Sequence, residues 1–145
     1  MKYPPLILAV LFSLLETLLA IAALDTSKID EITGLKGTLN EAEGVFKITQ
    51  PRVDVKVSVD GWQMPPFMGL TSWAAFTAGK EKAAMVMGDL VLFQDEVNPV
   101  MSAAFANGLN VTALHNHFFY DEPKVYFMKA RSSSSPKACA RRSTK

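Results

Sequence analysis

Apolar residues recur at different periods along this 145-residue chain, and the changes of period predict most of its elements. A mainly apolar run from Leu6 to Leu24, interrupted by Glu16, comes first. Ser27 is then placed to cap a helical turn through Ile32, after which the pattern turns to period two. Leu35 to Leu39 and Val45 to Ile48 read as the strands of a hairpin joined through Asn40 to Gly44. Val53, Val55, Val57 and Val59 alternate with Asp54, Lys56 and Ser58, the signature of a half-buried strand that ends at the turn pair Asp60-Gly61. Pro65-Pro66 and Gly69-Leu70 mark a loop, and Ser72 to Thr77 a further strand with Trp73 and Phe76 adding bulk to the interior. Ala83 to Met87 and Leu90 to Phe93 flank Gly88-Asp89, which reads as a hairpin turn or as a bulge within one long strand.

One helix is well signalled. Asn98 suits the N-cap, Pro99 the first helical position and Gly108 the stop, with Val100, Met101, Ala104 and Phe105 on one face. That face predicts packing on a sheet rather than a cofactor role for Met101. Val111 to Phe119 and Lys124 to Met128 supply two more strands, separated by Tyr120 to Pro123. The expected fold class is α+β, a mainly antiparallel sheet with one helix packed on it.

Hydrophobic residues make up 49% and charged residues 20%, enough for a real core and too apolar for a disordered chain. The net charge of +1 conceals an asymmetry. Six of the fifteen Lys/Arg lie in residues 129–145, which contain no acid, so residues 1–128 carry nine bases against all fourteen acids. From Lys129 the composition turns to Ser, Arg and Lys, the language of a disordered basic tail, and a nucleic-acid partner is not expected. Cys139, the single cysteine, lies in that tail and cannot close an intrachain disulfide.

The leading run, with Lys2 before it and Ala20-Ile21-Ala22 at its end, reads as a secretory signal peptide over residues 1–22, cut before Ala23. An uncleaved inner-membrane anchor is the alternative, but Glu16 at its middle would cost about 2.5–3.5 kcal/mol. The expected location is therefore periplasmic or secreted, with no membrane contact after cleavage. Residues 23–128 form the domain and residues 129–145 the tail.

Candidate chemistry is concentrated in ALHNHFFYDEPKVYFM, residues 113–128. On a strand His115 and His117 point to one face and Asn116 to the other, and Glu122 follows where a turn brings the chain back. Two imidazoles and a carboxylate are the ligand set preferred by zinc, and they suit other divalent transition metals with positions left for water. Glu122 is then the third ligand or the general base of a hydrolytic site. Against this stands a structural pair of hydrogen-bonded histidines. Asp121, Asn116 and Glu96 are better explained by turn, strand edge and helix approach.

The spacing His-x-His-x4-Glu overlaps the first metal motif of cupins, but Leu109 and Lys129 stand where that motif has glycines. A cupin barrel is the minor structural alternative. A closer resemblance covers about Ile29 to Met128. The segments GLKGTLNEAEGVFKITQPRVDVKVSVDG, SWAAF, VMGDLVLFQDEVNPVMSAAFANGLNVTALHNHF and DEPKVYFM resemble the LppY/LpqO family of bacterial exported proteins. That family carries no established activity, so the resemblance implies export and a shared fold more than a chemistry. It also implies a histidine, a glycine-rich turn and a closing helix after the YFM strand, and often a second copy of the domain. Here Lys129 stands at the histidine position, so the resemblance implies an aberrant or truncated single copy.

Two functions follow. One is a domain binding a divalent metal through His115, His117 and Glu122; the other is a non-catalytic binding or structural domain. No Ser-His-Asp arrangement, phosphate-cradling glycine loop or paired-cysteine zinc module supports another enzyme class. Ligand and oligomeric state are not encoded in any motif.

Overall fold

In the computed structural model, which describes residues 24–79 and 84–132, the first helix begins where a carboxylate can take a free amide. Asp25 Oδ1 accepts the Lys28 N–H at 3.0 Å, so α1 (Thr26–Thr33) is capped by Asp25 rather than Ser27. The expected hairpin follows: β1 (Thr38–Asn40) pairs antiparallel with β2 (Val45–Pro51), Leu39 opposite Phe46. The proposed signal peptide and Cys139 lie outside the described residues.

The alternating segment Val53 to Val59 departs most from expectation. Only Ser58–Val59 forms a strand, β3, which pairs with β4 (Trp62–Gln63) and β8 (Asp121–Glu122) in a small separate sheet. Upstream the chain bends at Asp54 and Val55, where the Arg52 guanidinium holds the Asp54 carboxylate through Nε at 2.9 Å and Nη2 at 2.7 Å. Val53 is consequently 76% exposed while Val57 is 1% exposed. The valines still serve burial, but as part of an irregular cover over the main sheet.

A 3₁₀ turn (Pro66–Met68) leads into β5 (Thr71–Ala78), and β6 (Ala84–Phe93) is one continuous strand through Gly88-Asp89. Glycine is required there because a Cβ at position 88 would lie 2.8 Å from the Trp73 carbonyl oxygen on β5. Helix α2 (Gln94–Ala106) starts five residues earlier than the expected first position, Pro99, which lies inside it. The early start has a clear cause: Glu96 turns back to accept the Phe93 N–H at 2.9 Å, and two acids, Asp95 and Glu96, lie in the first turn against the positive end of the helix dipole. The stop is as expected, with Gly108 at φ 77°.

Two strands complete the main sheet, β7 (Leu109–His115) and β9 (Val125–Ser132). The strand order is β1-β2-β5-β6-β9-β7 with every neighbour antiparallel, so the protein is α+β as expected. The strand β9 runs four residues past Met128. Lys129 pairs with Asp89, Ala130 with Gly88 and Arg131 with Met87, and Ala130 is buried. The start of the basic composition therefore does not mark the end of the folded chain, because alternate residues of an edge-proximal strand can carry charge on a wet face.

Alternation along the central strands builds a core on each face of the sheet. Leu92 and Met128 meet Val97 of α2, with Val100, Met101, Val111 and Tyr126 packed around them. On the other face Val91, Phe93, Val125 and Phe127 meet Val57, Met64 and Leu70 from the irregular cover. Each fully buried side chain here contributes roughly 1.5–3 kcal/mol. Among the described residues no helix is long and apolar enough to cross a membrane.

Candidate functional site

The strand that carries the histidines ends at His115, earlier than the expected Phe119. His115 lies opposite Phe127 of β9, and the chain then leaves the sheet, so His117 reaches the same place by a bend rather than by strand alternation. The result is the expected convergence. The two Nε2 atoms face each other at 3.0 Å, and the rings lie 5.0 Å apart between centroids.

The second ring is fixed from below. His117 stacks on Phe127 with centroids 4.0 Å apart and planes inclined by 16°, and Phe127 is itself a buried member of the core. Phe118 packs against the same core and meets Phe127 edge-on at 6.3 Å. The pair is therefore set on a rigid aromatic floor, with His115 half-buried and His117 exposed. A 3.0 Å separation between two imidazole nitrogens requires one proton between them, one ring donating and the other accepting.

Glu122 is not at this point. It lies on β8 opposite Ser58, in the small sheet, and is exposed. Among the described residues no three His, Cys, Asp or Glu side chains gather closely enough to hold a metal ion. The neighbouring Asp121 is committed elsewhere: its side chain is fully buried, Oδ1 accepts from Lys124 Nζ at 2.6 Å and Oδ2 accepts the Val125 N–H at 2.8 Å. Burial alone would raise its pKa, but the Lys124 ammonium and the backbone N–H bonds outweigh it and hold the carboxyl below its ordinary value. Asp121 is thus structural, though as a residue of β8 opposite Val59 rather than the turn residue its sequence context suggests.

Glu96 is likewise structural. Both its oxygens meet Arg52, at 2.7 and 3.1 Å, and this ion pair holds its carboxyl below the ordinary value against the opposing effect of burial. Lys129, beyond the expected domain boundary, lies on the same face of β9 as Phe127 and binds Asp89 Oδ2 at 2.7 Å. No motif marks Asp89 as a functional residue. Gly88-Asp89 reads equally as a hairpin turn or as a bulge within one long strand, and the pairing of β6 with β5 and β9 makes Asp89 a strand residue flanked by Trp73 and Lys129.

A family of protein domains described as Domain of Unknown Function (DUF1259) matches residues 27–145. The matched segment takes in the body described above from the second residue of α1 onward and continues through the basic C-terminal stretch. Comparison with curated proteins and with solved structures returns no significant match.

Proposed function

This chain belongs to the family described as Domain of Unknown Function (DUF1259), and from its histidine pair we propose that it binds one divalent transition metal, zinc foremost, through His115 and His117. The observation that carries the reading is the facing of the two Nε2 atoms at 3.0 Å, with His117 stacked on the buried ring of Phe127. Tetrahedral zinc with Zn–N bonds of 2.0–2.1 Å sets its two imidazole nitrogens about 3.3 Å apart, so the nitrogens need part by only about 0.3 Å, with each ring turning its lone pair off the N···N line toward the ion. Zinc would replace the proton that now joins the rings. Its remaining positions would go to water or to a ligand, which is the arrangement of a reactive rather than a closed site.

Glu122 enters this reading as a third ligand or general base only if the stretch from Phe118 to Asp121 carries it away from Ser58. Two imidazoles without a carboxylate imply modest affinity. The sequence features of an export signal ending at Ala22, and the LppY/LpqO resemblance, support the further reading that the domain works in a bacterial periplasm or exterior.

A second reading rests on the same contact. The 3.0 Å bond and the stack on Phe127 are also what a purely structural pair would show, ordering the chain where it leaves β7. Calorimetric titration with zinc separates the two. One bound ion per chain is expected, with His115→Ala and His117→Ala each lowering affinity by at least about tenfold and Glu122→Ala by much less. If the wild type takes up no stoichiometric metal while His115→Ala lowers the melting temperature, the pair is structural.

A further inference from the structure

Exposed apolar side chains are unevenly placed on this protein. Five of the eleven large hydrophobics exposed among the described residues, Trp62, Phe67, Met68, Phe119 and Tyr120, lie in two short stretches outside the main sheet. The fold brings those stretches together. Val59 lies between Trp62 and Asp121 in the small sheet, and the Asp60 N–H donates to the Tyr120 carbonyl at 2.8 Å. A Cβ on Gly69, the residue after Met68, would lie 3.5 Å from the Phe118 ring. The loops that carry the five side chains are therefore neighbours.

Phe67 and Phe119 are each 91% exposed, yet neither stands on a loose end. The Pro66 carbonyl takes the Leu70 N–H at 2.7 Å and the Thr71 hydroxyl at 3.2 Å, which fixes the turn under Phe67. The Phe119 carbonyl takes Lys124 Nζ at 3.1 Å. Rings presented by fixed backbone lose little further freedom when covered. Their extent is also sufficient: with about 150–250 Å² per aromatic side chain, the four rings alone offer on the order of 600 Å². A standard interface takes about 800 Å² from each partner.

Residues 61–70 and 113–120 contain no Asp, Glu, Lys or Arg, and an aromatic centre depleted of charge is the anatomy of an interface core. Charges of both signs stand exposed at the margin, Lys56 with Asp60 and Glu122, while Lys124 is already neutralised by Asp121. We propose that this surface is the contact between two copies of the chain, related by a two-fold axis that sets the aromatic patch of one on that of the other. The alternatives fit the margin less well. Binding to a membrane surface draws on Lys and Arg beside the apolar tips, and here two exposed acids face one base. A partner of a single charge sign would set like charges against each other. A second copy presents an equally uncharged centre and a rim of both signs, so the patch meets its own kind without a charge penalty. His117 lies beside this surface, one residue before Phe118, but the contact needs no metal.

The test uses the full chain with photo-reactive benzoylphenylalanine in place of Phe119, and a control with it in place of Glu43, which is exposed in the β1–β2 turn. Both are irradiated with a chelator and phosphatidylcholine–phosphatidylglycerol vesicles present. Position 119 is expected to give a two-chain adduct in at least about fivefold higher yield than position 43. Phe67→Asp and Met68→Lys, at exposed positions of the other stretch, should each lower that yield by at least about fivefold with the circular dichroism unchanged. Absence of a two-chain adduct, or a lipid adduct in its place, would overturn the proposal. Equal yields from positions 119 and 43 would do the same by assigning association to the leading apolar run, as would full yield in both variants. With metal chelated throughout, the outcome is independent of the zinc titration.

Discussion

Gly88 shows how one atom can decide a strand. Its neighbour across the sheet is Ala74, and a Cβ on Gly88 would lie 2.8 Å from the backbone oxygen of Trp73 and 3.5 Å from the Ala74 Cα. Backbone cannot yield as a flexible side-chain end can, so the strands would have to separate. Gly88→Ala should cost about 1–3 kcal/mol, the usual range for overpacking. Thermal unfolding monitored by circular dichroism checks it, and an unchanged melting temperature would show that β5 and β6 give way easily. Since Gly88 sits between Met87 and Asp89, the same change should also disturb the row of Trp73, Asp89 and Lys129 while leaving the histidine pair in place.

Between elements, the Arg52 side chain is the main polar connection. One guanidinium, 15% exposed, meets Asp54, both oxygens of Glu96 and the Val91 carbonyl, and lies 4.5 Å over the Phe93 ring. It thereby joins the end of β2, the bend that begins the irregular cover, the end of β6 and the first turn of α2. Asp54 first and Glu96 second raise the affinity of the guanidinium for its proton. Lysine has neither the planar fork nor the reach to serve these partners together, so Arg52→Lys is not conservative here. A double-mutant cycle with Arg52→Met and Glu96→Gln should give a coupling on the order of 1 kcal/mol, above the norm for exposed pairs because the arginine is largely covered. Additive effects in denaturant unfolding would show that the clamp is incidental to stability. The same clamp explains why α2 begins at Gln94 rather than at Pro99: Glu96 is bound both by Arg52 and by the Phe93 N–H, which fixes the turn before the proline.

At the scale of the molecule, the acid limit of stability is set by carboxylates that the fold holds in their charged form. Glu96 and Asp121 both have folded-state pKa values below their ordinary ones. For a depressed carboxyl the added stability is fully present above the unfolded pKa, near 4, and is lost as pH falls through the lower folded value. The melting temperature should therefore be flat in this respect from about pH 7 to about pH 5 and should decline below about pH 4. In the combined Glu96→Gln and Asp121→Asn variant the starting stability should be lower and the acid decline shallower. Calorimetric scans across pH measure both, and an identical acid decline in the variant would assign it to other groups.

Sequence periodicity alone was enough to read the hairpin of β1 and β2, the strand of Trp73, the α2 stop at Gly108 and the α+β class, because each depends on contacts between near neighbours in the chain. The convergence of His115 and His117 was legible for a related reason, since two residues at spacing two need only a short, firm support to meet. What the tertiary structure decided are the matters that depend on which strands become neighbours. Arg52 and Asp54 bend the alternating valines out of a strand; pairing with β5 and β9 decides Gly88-Asp89, legible as a turn or as a bulge in one long strand, as an unbroken close-packed strand centre; pairing on both sides carries β9 through Lys129 and Arg131 to Ser132. Register also leaves Glu122 opposite Ser58 rather than beside the histidines, and it assembles Trp73, Asp89 and Lys129, from positions 73 to 129, into one row. Local periodicity specifies the face of a side chain, and only long-range pairing specifies its neighbours.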